Sequence, residues 1–462
     1  MLLKQRIILP NVERYAPARD RKAALLRMIV WSAVFSVMAF LVIYFTLPRA
    51  RLSSGGLVVY SSVVALVGFL SLLLMRYFAT LTASFLFVAK YTVKNESESF
   101  RPLVSIIIPV YNEAKILRDS IKSLLQLNYE NYEIIIVNDG STDDTSAVAQ
   151  SLVGYHQGKS AHIKVSLINK ANGGKATALN AGIQHSTADF VLCMDGDSQL
   201  TPETLNLGIR HFVDPDLGAV AGNVKVLNRN RLLTNLQTLE YVQGLNLVRS
   251  AQSFLGMVNI IPGPVGIFRK RAIQDGGWYS SDTFAEDADL TLKIRVAGWK
   301  IIYEPNAISY TEAPESIHQL LKQRYRWTRG ILQSLRKHRR QLYRSSSGAL
   351  NTLVLWSMFY EAIMWPTMNI FTNLFFIVVA LFYGMSNLIP LWWASIALLD
   401  IMAALYCVAV DKEELRLVPY AFIYRLFFIL MIDITKAAAT IEEFLGMEMT
   451  WGKLERIGAP TN

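Results

Sequence analysis

The chain has 462 residues, 52% of them hydrophobic and 18% charged, with a mean hydropathy of +0.29 and a formal net charge of +10. This composition places part of the chain in lipid, and the length leaves room for two or three domains. Two cysteines, Cys193 and Cys407, exclude a disulfide framework or a cysteine-built zinc site. The basic residues gather beside apolar runs, so the positive charge reads as membrane-surface anchoring with no nucleic-acid partner.

A basic stretch at 1–24 precedes two uncharged runs, Met28 to Leu47 and Leu57 to Met75. At ~1.5 Å per residue each is long enough to cross a hydrocarbon core of ~30 Å, so 25–90 is read as two transmembrane helices. No small-x-small site follows the first run, which argues against a cleavable signal peptide. Lys4, Arg6, Arg14, Arg19, Arg21, Lys22 and Arg27 stand before the first run, against Arg49 and Arg51 between the two. The positive-inside rule therefore puts the N-terminus and the following domain in the cytoplasm.

Residues 99–344 read as an α/β domain with a doubly wound, mostly parallel sheet. Val104 to Val110, Glu133 to Val137, Lys164 to Ile168 and Phe190 to Met194 are short apolar runs of the buried-strand type. Helical patterns alternate with them, as at Glu113 to Leu127 and Asp143 to Val153. Ligands of such sheets bind at the carboxyl ends of the strands. Tyr111, Asn112 and Glu113 follow the first predicted strand, Asp139 the second and Asp195 the fourth.

Asp139, followed by Gly140, suits hydrogen bonds to a base or ribose, although Asn138 to Asp143 would equally make a turn and helix N-cap. Asn172-Gly173-Gly174-Lys175 opens a helix, where amides and a lysine suit a diphosphate; a plain glycine turn fits as well. Asp195-Gly196-Asp197 sets two carboxylates at the end of a buried strand, a costly pairing unless a cation compensates. Hard oxygen ligands with an open shell select Mg²⁺ or Mn²⁺. Glu286-Asp287, just before a helix, offers a general base or an ordinary acidic cap. Gln323-Arg324-Tyr325-Arg326-Trp327 opens an acid-free basic run reaching Arg344. Its later residues suit an anionic membrane surface, while Gln323 and Trp327 suit a sugar face.

Beyond this domain, Ala362 to Leu399 carries no charge and is too long for one span. Two spans are expected, near 366–384 and 391–409, preceded by an interfacial helix at 350–364 that breaks off at Pro366. Leu417 to Lys436 contains Arg425 and Asp433, leaving open a span or an interfacial helix; the charges favour the interface. The domain plan is therefore interfacial and transmembrane helices over 345–440 and a cytoplasmic tail over 441–462.

Taken together, the Asp-x-Asp, the acidic pair before a Leu-Thr helix and Gln-x-x-Arg-Trp resemble the signature set of membrane-embedded, processive family 2 glycosyltransferases. These include the poly-N-acetylglucosamine, chitin, hyaluronan and cellulose synthases. The resemblance implies a GT-A fold, a UDP-sugar donor, a growing polysaccharide acceptor, Mg²⁺ or Mn²⁺, inversion at the anomeric carbon and export through a channel formed by the spans. Carried over, Tyr111, Glu113, Asp139, Lys175 and Asp195 face the donor. Asp195 and Asp197 hold the metal, and Asp287 is the base with Glu286 beside it. Gln323, Arg326 and Trp327 frame the acceptor. Trp451-Gly452-Lys453 with Arg456 resembles the segment that closes over the donor. Ala288 after Glu286-Asp287, and the run to Trp299, point to an N-acetylglucosamine polymer; a UDP-glucose glucan or a hyaluronan synthase is the alternative. A non-processive lipid-linked transferase, or a transporter with a silent domain, fits the motifs less well. The expected setting is the plasma or inner membrane, with lipid as a partner, both termini cytoplasmic and accessory secretion or deacetylase subunits as candidate partners.

Overall fold

The computed structural model describes residues 68, 75–90, 99–340, 348–383 and 388–448. The first predicted span, nearly all of the second, and Trp451, Lys453 and Arg456 lie outside these residues. A helix at 75–90, α1, leads into the α/β domain. Its first half comprises β1 (Val104–Val110), α2 (Leu117–Leu124), β2 (Tyr132–Asp139), α3 (Thr145–Gln150), β3 (Gly154–Gln157), β4 (His162–Lys170), α4 (Lys175–His185) and β5 (Phe190–Cys193). There follow β6 (Gln199–Leu200), α5 (Thr204–Ile209), β7 (Leu217–Val226), α6 (Leu232–Glu240), a π-turn (Tyr241–Asn246) and α7 (Leu247–Phe254). The domain ends with β8 (Gly266–Arg269), α8 (Lys270–Asp275), α9 (Glu286–Val296), β9 (Lys300–Thr311) and α10 (Ile317–Lys337).

The strands form one sheet in the order β3-β4-β2-β1-β5-β8-β7-β9-β6. All seven residues of β1 are buried, because helices cover both faces of a run made almost wholly of apolar side chains. Parallel pairing holds for β1 with β2 and β5, for β2 with β4 and for β7 with β9. The other pairings, β3–β4, β5–β8, β7–β8 and β6–β9, are antiparallel. The sheet is thus mixed, where a mostly parallel one was expected. The short β8 and the hairpin strand β3 give no parallel-strand signature in the sequence. The chain winds outward from β1 to β4 and then returns to β5 on the other side of β1. That reversal opens a crevice at the carboxyl ends of β1, β2 and β5, where ligands of such sheets bind.

Among the described residues five further α-helices follow: α11 (Ala349–Phe359), α12 (Trp365–Tyr383), α13 (Leu388–Val410), α14 (Tyr420–Ile423) and α15 (Ile429–Phe444). The expected break at Pro366 does not occur. A π-turn, Tyr360–Met364, carries α11 into α12, and Pro366 takes the second position of α12. Inside a continuous helix a proline supplies no amide hydrogen and its ring crowds the carbonyl four residues back, and the widened turn just before Pro366 accommodates both. Leu415–Phe444 runs as one helical stretch of 30 residues, long and apolar enough by length and composition to cross a membrane. Its two charges are partnered: Arg425 bonds Asp400 of α13, and the Asp433 carboxylate accepts from Asn369 of α12 at 2.6 Å. Pairing removes much of the cost that favoured an interfacial placement.

Candidate active site

Two loops meet at the ends of β1 and β2. Asn112 adopts φ 53°, and its side-chain oxygen accepts from the Thr142 amide at 2.8 Å while its own amide donates to Ser141 Oγ at 3.1 Å. The Glu113 amide donates to Thr145 Oγ1 at 2.7 Å, so the predicted donor-side residues Tyr111 and Glu113 sit on a loop laced to the Asp139 turn. Asp139, the last residue of β2, is buried. Its carboxylate accepts from Lys170 Nζ at 2.5 Å, the Gly173 amide at 3.0 Å and the Gly174 amide at 2.8 Å. The glycine loop that opens α4 is therefore shaped by Asp139, which ties two of the predicted signatures into one structure.

That loop delivers Lys175 to the centre of the site. Its Nζ lies 2.6 Å from Asp195 Oδ1 and 2.8 Å from Glu286 Oε1. Burial works against the lysine's charge, but Asp195, Glu286 and Asp287 outweigh it and hold the ammonium well above its ordinary pKa. Asp195 and Asp197 flank Gly196 just beyond β5. A Cβ at Gly196 would stand 2.1 Å from Glu113 Oε2, so glycine lets the Glu113 carboxylate lie against this loop. Asp197 is 5% exposed, with Ser198 Oγ at 3.3 Å and Thr311 Oγ1 of β9 at 3.5 Å. Among the described residues no group of three or more His, Cys, Asp or Glu side chains gathers in metal-binding fashion. Two hard carboxylates alone match an ion whose remaining shell comes from its substrate.

Asp287 occupies the first turn of α9, and its Oδ1 accepts from the Ala288 amide at 2.8 Å. Burial, then the neighbouring Glu286 carboxylate, pushes its pKa up to about 6 against the pull of Lys175. Glu286, unlike Asp287, is in ion-pair contact with Lys175. Cys193 lies nearby, but burial pushes its thiol up to about 12, so it is not a nucleophile at neutral pH.

The long helix α10 closes the site. Gly330 permits its approach to α9, since a Cβ there would meet the Ala285 backbone nitrogen at 2.5 Å. Arg324, 2% exposed, forks onto Glu240 at 2.6 and 3.2 Å and donates to Gln323 Oε1 at 2.7 Å. Its guanidinium also lies over the Trp327 ring, 4.1 Å from the centroid. Sequence reasoning passed over Arg324 and Glu240 as site residues, although Arg324 stands inside the quoted motif. The basic run of α10 is also less free than its acid-free sequence suggested. Arg329 bonds Glu443 and the Met447 carbonyl, and Lys337 bonds Asp282 and Asp289, while Arg336, Arg339 and Arg340 are exposed.

Lys175, Asp195, Glu286, Asp287, Gln323, Arg326 and Trp327 line a single cavity of about 470 Å³. Tyr111, Glu113, Asp139 and Asp197 are not among its lining residues, and Lys453 and Arg456 lie outside the described residues. The cavity continues between the C-terminal helices, past Glu361, Trp365, Arg425, Phe428 and Asp433.

A mixed α/β sheet with Asp195 and Asp197 beyond a central strand and Asp287 on a following helix has a GT-A-like fold. Residues 105–277 match the family described as Glycosyl transferase family 2. Over 239 residues the chain is 35% identical to the poly-beta-1,6-N-acetyl-D-glucosamine synthase of Staphylococcus epidermidis, covering 52% of this chain and 56% of that protein. It is 36% identical over 228 residues to the synthase of the same name from Staphylococcus aureus strain COL, covering 49% and 54%. The chain thus spans about half the length of the curated relatives it matches. A solved mannosyltransferase from Pyrobaculum calidifontis, in complex with GDP-Man and Mn²⁺, superposes with a TM-score of 0.58 at 20% identity. That likeness covers 82% of this chain and 98% of the mannosyltransferase, and bears on the fold alone.

Proposed function

We propose that the chain is a processive, inverting glycosyltransferase of the membrane that polymerises UDP-N-acetylglucosamine into a β-linked polysaccharide and passes it between its own helices. The observation that carries this reading is the continuous cavity, which runs from Lys175, Asp195 and Asp287 past Trp327 to the C-terminal helices. A single-transfer enzyme has no use for such a path. The relatives' names, both poly-beta-1,6-N-acetyl-D-glucosamine synthases, support the choice of sugar.

Asp287 accepts the proton of the acceptor hydroxyl as that oxygen forms its bond to the anomeric carbon and the bond to UDP breaks. A pKa of about 6 leaves it ionised at neutral pH yet still basic enough to take a proton. Lys175 faces the diphosphate and offsets its charge together with the amides at the start of α4. Asp195 and Asp197 would hold Mg²⁺ or Mn²⁺, which supplies further neutralisation of the leaving diphosphate. Trp327, held flat by Arg324, offers its face to the terminal sugar of the polymer, and Gln323 and Arg326 bond its hydroxyls. Both termini lie in the cytoplasm, with Lys453 and Arg456 closing over the donor, and membrane lipid surrounds the helices.

The test is purified full-length protein supplied with UDP-N-acetylglucosamine and Mn²⁺, with UDP release and product size followed together. High-molecular-weight polymer at early times is expected. UDP release that yields only one-sugar products, or no release at all, contradicts the proposal.

A further inference from the structure

Arg249, on α7, lines the same cavity as Asp287 and is 7% exposed. Its Nη1 has no hydrogen-bond partner, and among the described residues no carboxylate lies within ion-pair distance of its guanidinium. Other buried arginines of the region have named acceptors, although Arg295 also leaves its Nε unmatched. Arg324 has Glu240, Arg329 has Glu443, Arg425 has Asp400, and Arg295 donates to the Gly256 carbonyl at 2.9 Å. Arginine carries five N–H donors and cannot shed its charge at physiological pH, so leaving a buried one such as Nη1 without an acceptor is costly. Burial does pull its pKa down, opposed by Tyr303, Asp287 and Tyr241. An arginine that lines a cavity without a carboxylate partner is matched when a ligand brings the acceptors.

The surroundings identify which ligand. Lys175, with Asp195 and Glu286, marks the diphosphate end of the site. Arg249 instead lies on the helical stretch that also carries Glu240, the partner of Arg324, whose guanidinium lies over Trp327, and it lines the cavity together with Glu240, Asp287 and Trp327. Arg249 therefore belongs to the acceptor side of the base. It follows directly on the π-turn Tyr241–Asn246, and such widened turns recur where a helix must re-aim side chains at a functional site.

We propose that Arg249 is a further substrate-contacting residue, donating to a hydroxyl or amide-carbonyl oxygen of the acceptor-end sugar and so orienting the attacking hydroxyl against Asp287. The proposal rests on the transferase reading given above, and its test separates the two. Parent protein, Arg249→Met and Arg249→Lys are compared, each full-length in detergent with Mn²⁺. UDP binding, hydrolysis of UDP-N-acetylglucosamine to water, elongation of an N-acetylglucosamine oligosaccharide and thermal unfolding are all measured. If the parent neither hydrolyses nor elongates, the transferase reading itself fails. Given an active parent, Arg249→Met should lose elongation by about 100-fold or more while UDP affinity and hydrolysis stay within about threefold. Arg249→Lys should recover part of the loss, and the Met variant should unfold no earlier than the parent, since a buried charge has been removed. Normal elongation by Arg249→Met overturns the proposal. So does a parallel fall in UDP affinity or hydrolysis, which would assign Arg249 to the donor, or an earlier unfolding transition, which would make its role structural.

Discussion

Asp287→Asn should make the protein more stable as it makes it inactive. The carboxyl pKa rises from 3.8 to about 6 on folding, chiefly through burial and then through Glu286. At ~1.4 kcal/mol per unit, the ionised side chain costs the fold up to about 3 kcal/mol at neutral pH, less where cavity water screens it. The folded state holds this proton more tightly than the unfolded chain. The parent's contribution from this group is therefore most favourable below the unfolded value of 3.8 and is lost as pH rises through about 6. Asparagine keeps the shape and removes the charge, so unfolding in detergent at pH 7.5 should shift upward by several degrees, with the gap closing toward pH 4. Elongation should fall by ~10²-fold or more with UDP still bound. The parent's kcat/KM should show an acid limb near pH 6, absent from the variant's residual activity. A variant less stable than the parent at pH 7.5, or parent activity flat from pH 5 to 8, would refute the reasoning.

Asp197→Ala should weaken UDP binding and leave residual activity insensitive to Mn²⁺ or Mg²⁺; full parent activity in chelator would contradict the metal assignment. Trp327→Ala should stop elongation with UDP affinity retained, and long polymer from it would remove Trp327 from the acceptor site. Glu240→Gln strips Arg324 of its counter-charge in a buried place, a loss of about 3–5 kcal/mol that thermal unfolding would register; an unchanged transition would mean that the pair contributes little. Asn462→Cys should resist impermeant thiol reagents in intact cells and react after lysis, against a low background because Cys193 and Cys407 are buried. Labelling from outside would reverse the proposed topology.

What could be read from the sequence was what local pattern encodes. Ile106 to Ile108 and Ile134 to Ile136 announce strands buried on both faces, and the polar residues that interrupt such runs fall at strand ends by necessity. Asp139 and Asp195 stood out for that reason, and Asp287 as half of an acidic pair at the start of a helix. β3 was not, because its residues alternate between half-buried and exposed on a sheet edge and carry no apolar run. Partnerships across the chain were equally hidden. Arg324 meets Glu240 from 84 residues away, and Asp433 meets Asn369 from 64 away, so both looked like lone charges. Arg249 left no mark at all, since its significance lies in partners that the fold withholds.

The central claim is polymerisation of N-acetylglucosamine, and the most direct measurement offers purified protein a panel of radiolabelled UDP-sugars and digests the product with linkage-specific glycosidases. Label should enter high-molecular-weight material from UDP-N-acetylglucosamine alone and be released by a β-N-acetylglucosaminidase. Polymer built instead from UDP-glucose, or from UDP-N-acetylglucosamine only when UDP-glucuronic acid is also present, would contradict it.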